Sequence, residues 1–193
     1  ILAFWAIGYA ILSSDAHVFA INLHALFGLG ASHDLDAAQA AGMFLPAAAI
    51  LIATGIVPGV LAERARFWPS LTTAALLAVL IAPVAGLWVL EDGWLHNLGF
   101  LDHAGASWLH LPAALSAAVG AIVVGPRSGK FNRDGSSTAI PGHSVPLAAA
   151  GVFFLLLGFF LFIPITSAQG GPAAMNVLLA AAAGGLASVL LCQ

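Results

Sequence analysis

Charge is what this sequence has least of. Among its 193 residues only 7% are Asp, Glu, Lys or Arg, whereas 61% are hydrophobic. So few charged side chains cannot cover the water-exposed surface of a soluble domain. Five Lys and Arg against eight Asp and Glu give a net charge of -3, which excludes the basic surface of a nucleic-acid-binding protein. The composition therefore predicts a protein of the lipid bilayer.

Cysteine is nearly absent as well. The single one, Cys192, cannot form a disulfide within the chain and supplies no thiolate cluster for zinc or iron–sulfur. The 21 glycines and 10 prolines are scattered through apolar segments, which argues against a disordered linker. We therefore expect no metal and no cofactor.

The charged residues divide the chain into uncharged runs whose lengths match a membrane. A spanning helix needs roughly 20 apolar residues at about 1.5 Å each. The runs predict an all-α polytopic bundle with a truncated span near 1–13 and spans near 38–61, 69–90, 104–125, 144–166 and 172–192. The first residue is not a methionine, and the first apolar run is too short to cross about 30 Å of hydrocarbon, so we expect the sequence to begin inside a helix.

The sign of the charge alternates between the segments that join these spans. All five basic residues lie at 63–66 and 127–134, whereas 15–36 and 91–102 carry acidic residues and histidines but no Lys or Arg. The positive-inside rule then places the basic segments in the cytoplasm and the acidic segments outside. The expected location is the plasma (cytoplasmic) membrane.

His110 is the most informative residue, because it is ionisable and lies inside an apolar span. It follows Asp102 by eight residues, which at about 1.5 Å each places it roughly 12 Å down the helix, near the bilayer midplane. Ionisable residues at that depth usually mark a pathway. The alternative is a packed histidine that bonds a carbonyl of the next helix. Its neighbours on the helix are small, namely Ala106, Ser107, Ala113, Ala114 and Ala117.

Asp102 and Pro112 flank this histidine on the same span. We predict Asp102 first as a helix cap, whose carboxylate accepts free N–H groups, and second as an outer carboxylate that attracts a cation. Pro112 has no N–H group, so it should leave a carbonyl near the imidazole without its donor.

Two short patterns match enzyme motifs only in part. Ser107 is followed by Trp108, where an intramembrane serine protease has glycine. The segment 125–131 is one residue too short for a phosphate-binding loop and ends in Phe131 instead of Ser or Thr. Five further histidines fit no metal-ligand spacing and are expected in solvated loops, namely His17, His24, His33, His96 and His103. His143 is expected to cap or anchor the span that follows it. We therefore do not expect an enzyme.

Several short segments lie where the predicted topology needs turns and a pore helix. They are Leu-Ala-Glu-Arg-Ala-Arg-Phe at 61–67, Trp94-Leu95, Leu101-Asp102-x-Ala104-Gly105, His110 and Val119-Gly120-Ala121. Together they resemble the ammonium transporter (Amt/Rh) family. The resemblance covers nearly the whole chain and implies a fragment from the second to the seventh of eleven helices. It also implies inverted halves, a homotrimer with one pore per subunit, and it leaves open a P-II-type regulator at the cytoplasmic loops.

The resemblance assigns roles to individual residues. His110 matches the first of the family's twin pore histidines, and Asp102 matches the buried acid near the external ammonium site. Phe162 matches the inner ring of the family's phenylalanine gate, and Thr166 aligns near the hydroxyl that recruits ammonium.

The outer gate departs from the family pattern. The outer-gate phenylalanine aligns near Ala49 and the recruiting tryptophan near Leu90. The segment that is usually rich in glycine and asparagine reads Ile-Pro-Ile at 163–165. Trp88 or Trp94 would then have to offer the aromatic face for a cation.

Two functions follow from these expectations. The first is an ammonium channel or transporter that deprotonates ammonium at an outer site and conducts ammonia past the pore histidine. The second, motivated by the altered gate, is an ammonium sensor that is coupled to a signalling domain.

Overall fold

The computed structural model describes residues 1–14, 26, 37–90, 92–102, 105–166 and 170–191. These residues form helices and contain no β-strand apart from an isolated bridge between Phe131 and Ser137. The predicted all-α fold is confirmed. His17, His24, His33 and His103, which we predicted in solvated loops, lie outside the described residues.

Helical elements account for most of the described residues. In chain order they are a first π turn (Phe4–Gly8), α1 (Tyr9–Leu12), α2 (Ala37–Leu61), α3 (Phe67–Leu76), a second π turn (Leu77–Ile81), α4 (Ala82–Val89), α5 (Trp94–Asn97), a third π turn (Ala106–His110), α6 (Leu111–Val124), α7 (Val145–Thr166) and α8 (Gly170–Leu191). Five segments are long and apolar enough to cross a membrane, namely Gly42–Leu61, Phe67–Asn97, Ala106–Val124, Val145–Ile163 and Gly171–Leu191.

The chain divides into two compact units, Ile1–Thr138 and Ala139–Gln193. In the first unit α2 packs along α6. Buried residues recur every four positions along α2, at Ala49, Ala53, Val57 and Leu61. On α6, a Cβ built on Gly120 would lie only 3.0 Å from Leu61 Cδ2. Small residues on both helices therefore allow their backbones to approach closely.

The small residues around His110 fall into a buried group and an exposed group. Ala113 and Ala117 are buried in the core of the first unit, whereas Ala106 and Ala114 are exposed. His110 itself is half-buried. It therefore lies between a helix-packing face and an open face of the same helix.

The second and third π turns each end two residues before a proline. In the second, the Ala82 N–H donates to the Leu77 carbonyl and Pro83 follows. In the third, the Leu111 N–H donates to the Ala106 carbonyl and Pro112 follows. Because a proline ring crowds the carbonyl four residues before it, a wider turn at that point accommodates the ring.

Both basic segments lie at one end of the first unit. Arg64 Nη1 donates to the Gly125 carbonyl at 3.5 Å. Arg127 Nε lies 3.4 Å from Glu63 Oε2. The α2–α3 turn is therefore beside the C-terminal end of α6, as two segments on the same side of a membrane should be.

In the second unit α7 and α8 pack against each other. None of the described residues in Val145–Ile163 and Gly171–Leu191 is buried within the chain. Phe153 and Phe154, for example, are 73% and 75% exposed. Helices that are apolar on all sides suit contact with lipid or with further helices.

Candidate functional site

The predicted pore histidine lies in an irregular turn of its helix. His110 is the last residue of the third π turn, and its N–H and that of Leu109 both donate to the Gly105 carbonyl, at 3.1 and 3.0 Å. Its side chain is half-buried, with Nε2 shielded from solvent. The turn packs against α4 and α2. Such π turns are frequent at functional sites, and the helical spacing alone did not predict this one.

The carboxylate of Asp102 caps the third π turn. Its Oδ1 accepts the N–H of Ala106 at 2.9 Å, and its Oδ2 accepts the N–H groups of Ser107 at 2.7 Å and Trp108 at 3.2 Å. These N–H groups have no carbonyl partner within the helix, because they belong to its first turn. The capping role predicted for Asp102 is confirmed. A carboxylate at this positive helix end is also stabilised by the helix dipole.

Gly105 forms the turn between Asp102 and the helix. Its φ is 71°, in the left-handed region, and a Cβ built there would lie 2.7 Å from Leu109 Cδ1. A side chain at this position would be both strained and crowded. In the sequence Gly105 stood out only as part of a motif, although a glycine just before a helix is a typical sign of such a turn.

Trp88 and Trp94 form an aromatic pair between α4 and α5. Their ring centroids are 6.3 Å apart with an interplanar angle of 64°. Trp88 is 43% exposed and Trp94 is 47% exposed. Gly93 between them is buried, and a Cβ there would collide with the carbonyl of Trp88. The pair is therefore held by a tight turn and keeps accessible ring surface.

The two outer-gate positions that depart from the family pattern point into the core. Ala49 is only 4% exposed and is one of the buried residues that recur every four positions along α2. Leu90 is half-buried and packs against the same core. Neither residue offers an aromatic face, so among the aromatic residues singled out at this end only Trp88 and Trp94 are candidates for cation contact.

The remaining predicted residues belong to the second unit. Phe162 is half-buried on α7, and Thr166 is the last residue of that helix. α7 continues as a helix through the Ile-Pro-Ile segment at 163–165. Within the described residues, no group of three or more His, Cys, Asp or Glu side chains converges to hold a metal ion.

Comparison with known proteins identifies relatives along the whole chain. A sequence profile of the Ammonium Transporter Family matches residues 1–193. The chain is 32% identical to the ammonium transporter Amt2 of Archaeoglobus fulgidus, over 97% of this chain and 43% of that protein. It is 30% identical to ammonium transporter 3 of Dictyostelium discoideum, over 82% of this chain and 37% of that protein.

A plant relative extends the similarity. Ammonium transporter 1 member 2 of Arabidopsis thaliana is 29% identical over 84% of this chain and 34% of its own length. The chain thus spans less than half the length of these relatives. The family predicted from the short motifs is confirmed by the match over all 193 residues. This chain belongs to the ammonium transporter family.

Proposed function

We propose that the chain is part of a membrane transporter that takes up ammonium at the end bearing Asp102 and conducts ammonia past His110. The observation that carries the proposal is the position of His110, a half-buried ionisable residue inside the candidate span Ala106–Val124. The names of the relatives support ammonium as the substrate.

The energetics of desolvation favour a neutral permeant in such a helix bundle. A bare cation in an apolar medium costs on the order of tens of kcal/mol, whereas a neutral amine needs only hydrogen-bond partners. A neutral imidazole offers one donor and one acceptor. His110 can therefore bind ammonia and exchange a proton with it without holding a permanent charge.

In this proposal the aromatic pair of Trp88 and Trp94 recruits the ammonium cation. Trp88 and Trp94 keep nearly half of their surface exposed. A cation over an indole face gains about 0.5–2 kcal/mol. Asp102 follows Trp94 in the same connection between α4 and α6, so its carboxylate adds negative charge to this end. The pair would replace the aromatic residues that are missing at Ala49 and Leu90.

The proposal includes a homotrimer in the plasma membrane. Leu115, Ile122 and Val123 on α6 are 58%, 81% and 79% exposed, which supplies apolar surface for lipid or for the other subunits of a homotrimer. The basic end of the first unit would face the cytoplasm of the plasma membrane and be accessible to a P-II-type regulator. Native mass spectrometry of the full-length protein would report three subunits.

The decisive test replaces His110 in the full-length protein. His110→Leu should reduce ammonium current on solid-supported membranes at least tenfold while leaving the oligomer intact, because leucine cannot accept or donate a proton. His110→Asp should keep a current but let potassium pass, since a carboxylate can pair with either cation. His143→Leu, an exposed histidine ahead of α7, is the matched control and should behave as the parent. Parental current in His110→Leu would make His110 a packing residue.

A sensor is the second candidate function. The observation that favours it is the burial of Ala49, which leaves the usual outer-gate position without an aromatic ring. A sensor would bind ammonium but carry no current. Ammonium binding by the full-length parent, with no current under any gradient, would replace the transporter proposal by this one.

A further inference from the structure

The third π turn deprives one main-chain carbonyl of its helix donors. In a regular α-helix the Ser107 carbonyl would accept the N–H of residue 111. Here the Leu111 N–H donates to the Ala106 carbonyl instead. The next residue, Pro112, has no N–H to offer. The Ser107 carbonyl therefore has neither an i+4 nor an i+5 donor.

This carbonyl belongs to the same π turn as His110. Carbonyl oxygens of a helix point toward its C-terminus, whereas side chains lean toward its N-terminus. The Ser107 oxygen and the His110 ring therefore occupy the same turn. Both residues are half-buried, outside the fully packed core.

The second π turn has the same hydrogen-bond pattern, but its carbonyl without helix donors is buried. There the Ala82 N–H donates to the Leu77 carbonyl and Pro83 follows, so the Ala78 carbonyl is the one without helix donors. A Cβ built on Gly8 would lie 2.5 Å from this oxygen, and both residues are buried. The Ala78 carbonyl is thus covered by the backbone of the first π turn.

We infer that the Ser107 main-chain carbonyl is a second binding group of the pathway, which accepts a hydrogen bond from permeating ammonium or ammonia beside His110. The inference rests on the proposed function. Ammonium presents four N–H groups and ammonia three, while a neutral imidazole offers only one acceptor. An uncharged carbonyl adds an acceptor without the trapping that a carboxylate would cause, as in the carbonyl-lined filters of cation channels.

Transport by two matched proline variants tests the inference. Pro112→Ala supplies an N–H and allows the helix to close with ordinary bonds to the carbonyls of Ser107 and Trp108. We expect ammonium current of the full-length protein to fall at least fivefold, with thermal stability unchanged or raised. Pro83→Ala makes the same change in the second π turn and should keep current within twofold of the parent. Parental current in Pro112→Ala, or an equal loss in both variants, would overturn the inference.

A spectroscopic measurement on the parent needs no variant. Ser107-Trp108 is the only Ser-Trp pair within these 193 residues, so carbonyl-13C serine with 15N tryptophan selects this carbonyl among them by its 13C–15N coupling. A resonance that disappears in Trp108→Phe assigns the signal in the full-length protein. Ammonium chloride should shift the selected resonance, whereas tetramethylammonium, which has no N–H, should not. No shift with ammonium would overturn the inference. A shift in a parent that carries no current would keep the inference as a binding site and overturn only the transporter proposal.

Discussion

At Asp102, capping and charge can be separated by two substitutions of one residue. Its carboxylate accepts the N–H groups of Ala106, Ser107 and Trp108. Asp102→Asn keeps an acceptor oxygen but removes the charge, so we expect thermal stability near that of the parent and reduced ammonium transport. Asp102→Ala leaves those N–H groups unpaired and should cost about 1 kcal/mol of stability. Thermal melts and ammonium currents of both variants would measure this, and a silent Asp102→Ala would contradict both roles.

The aromatic pair offers a second prediction at the residue scale. If Trp88 and Trp94 recruit the cation, Trp88→Ala and Trp94→Ala should each raise the half-saturating ammonium concentration by roughly 2- to 30-fold, which corresponds to about 0.5–2 kcal/mol. Phenylalanine at either position should recover part of the loss. Trp68→Ala is the control, because Trp68 is 70% exposed but adjoins the basic end. An equal effect of Trp68→Ala would point to general helix anchoring instead.

The residues of the site differ in how far the sequence revealed them. His110 and Asp102 could be singled out because a charge or an imidazole in an apolar run is costly. The cap at Asp102 followed from its place ahead of a span. The sequence could not predict that Gly105 has a left-handed conformation or that the Asp102 carboxylate accepts three N–H groups. Both features depend on the exact residue at which the helix begins. The roles in transport assigned to these side chains stay predictions.

The close approach of two helical elements can be tested at Gly8. A Cβ there would meet the Ala78 carbonyl and the Phe4 ring at 2.5 and 2.7 Å, and a backbone oxygen cannot move aside cheaply. Gly8→Ala should therefore destabilise the full-length protein by about 1–3 kcal/mol. Gly59→Ala on α2 has nothing within 4 Å and should be neutral or slightly stabilising. Thermal melts in detergent would compare the two, and equal stability would show that the first and second π turns separate easily.

Among the elements, the spans were more predictable than their internal geometry. The span predicted near 104–125 corresponds to Ala106–Val124, which consists of the third π turn and α6. Apolar length and flanking charge locate such a segment well. The π turns were missed, because a change from an i+4 to an i+5 bond alters neither composition nor length. Pro112, two residues after His110, was the local sign of the missing hydrogen bond in the third π turn, and Pro83 occupies the same place after the second.

At the scale of the whole molecule, charge is distributed between the two ends of the first unit. The contacts of Arg64 with Gly125 and of Arg127 with Glu63 bring both basic segments together. The connection with Trp94 and Asp102 carries no basic residue. The alternation of charge along the sequence anticipated this arrangement, since consecutive spans return the chain to the same side.

This charge distribution predicts a sidedness that can be measured. In a full-length parent whose native cysteines, Cys192 included, are replaced by serine, Leu98→Cys places a thiol at a residue that is 77% exposed after α5. Ser128→Cys places one among the basic residues after α6. The positive-inside rule predicts that an impermeant maleimide labels residue 98 in intact cells but labels residue 128 only after permeabilisation. The cysteine-free parent is the background control. Labelling of both thiols from the same side would mean that residues 98 and 128 lie on one side of the membrane. The proposed outer position of Asp102 would then be wrong.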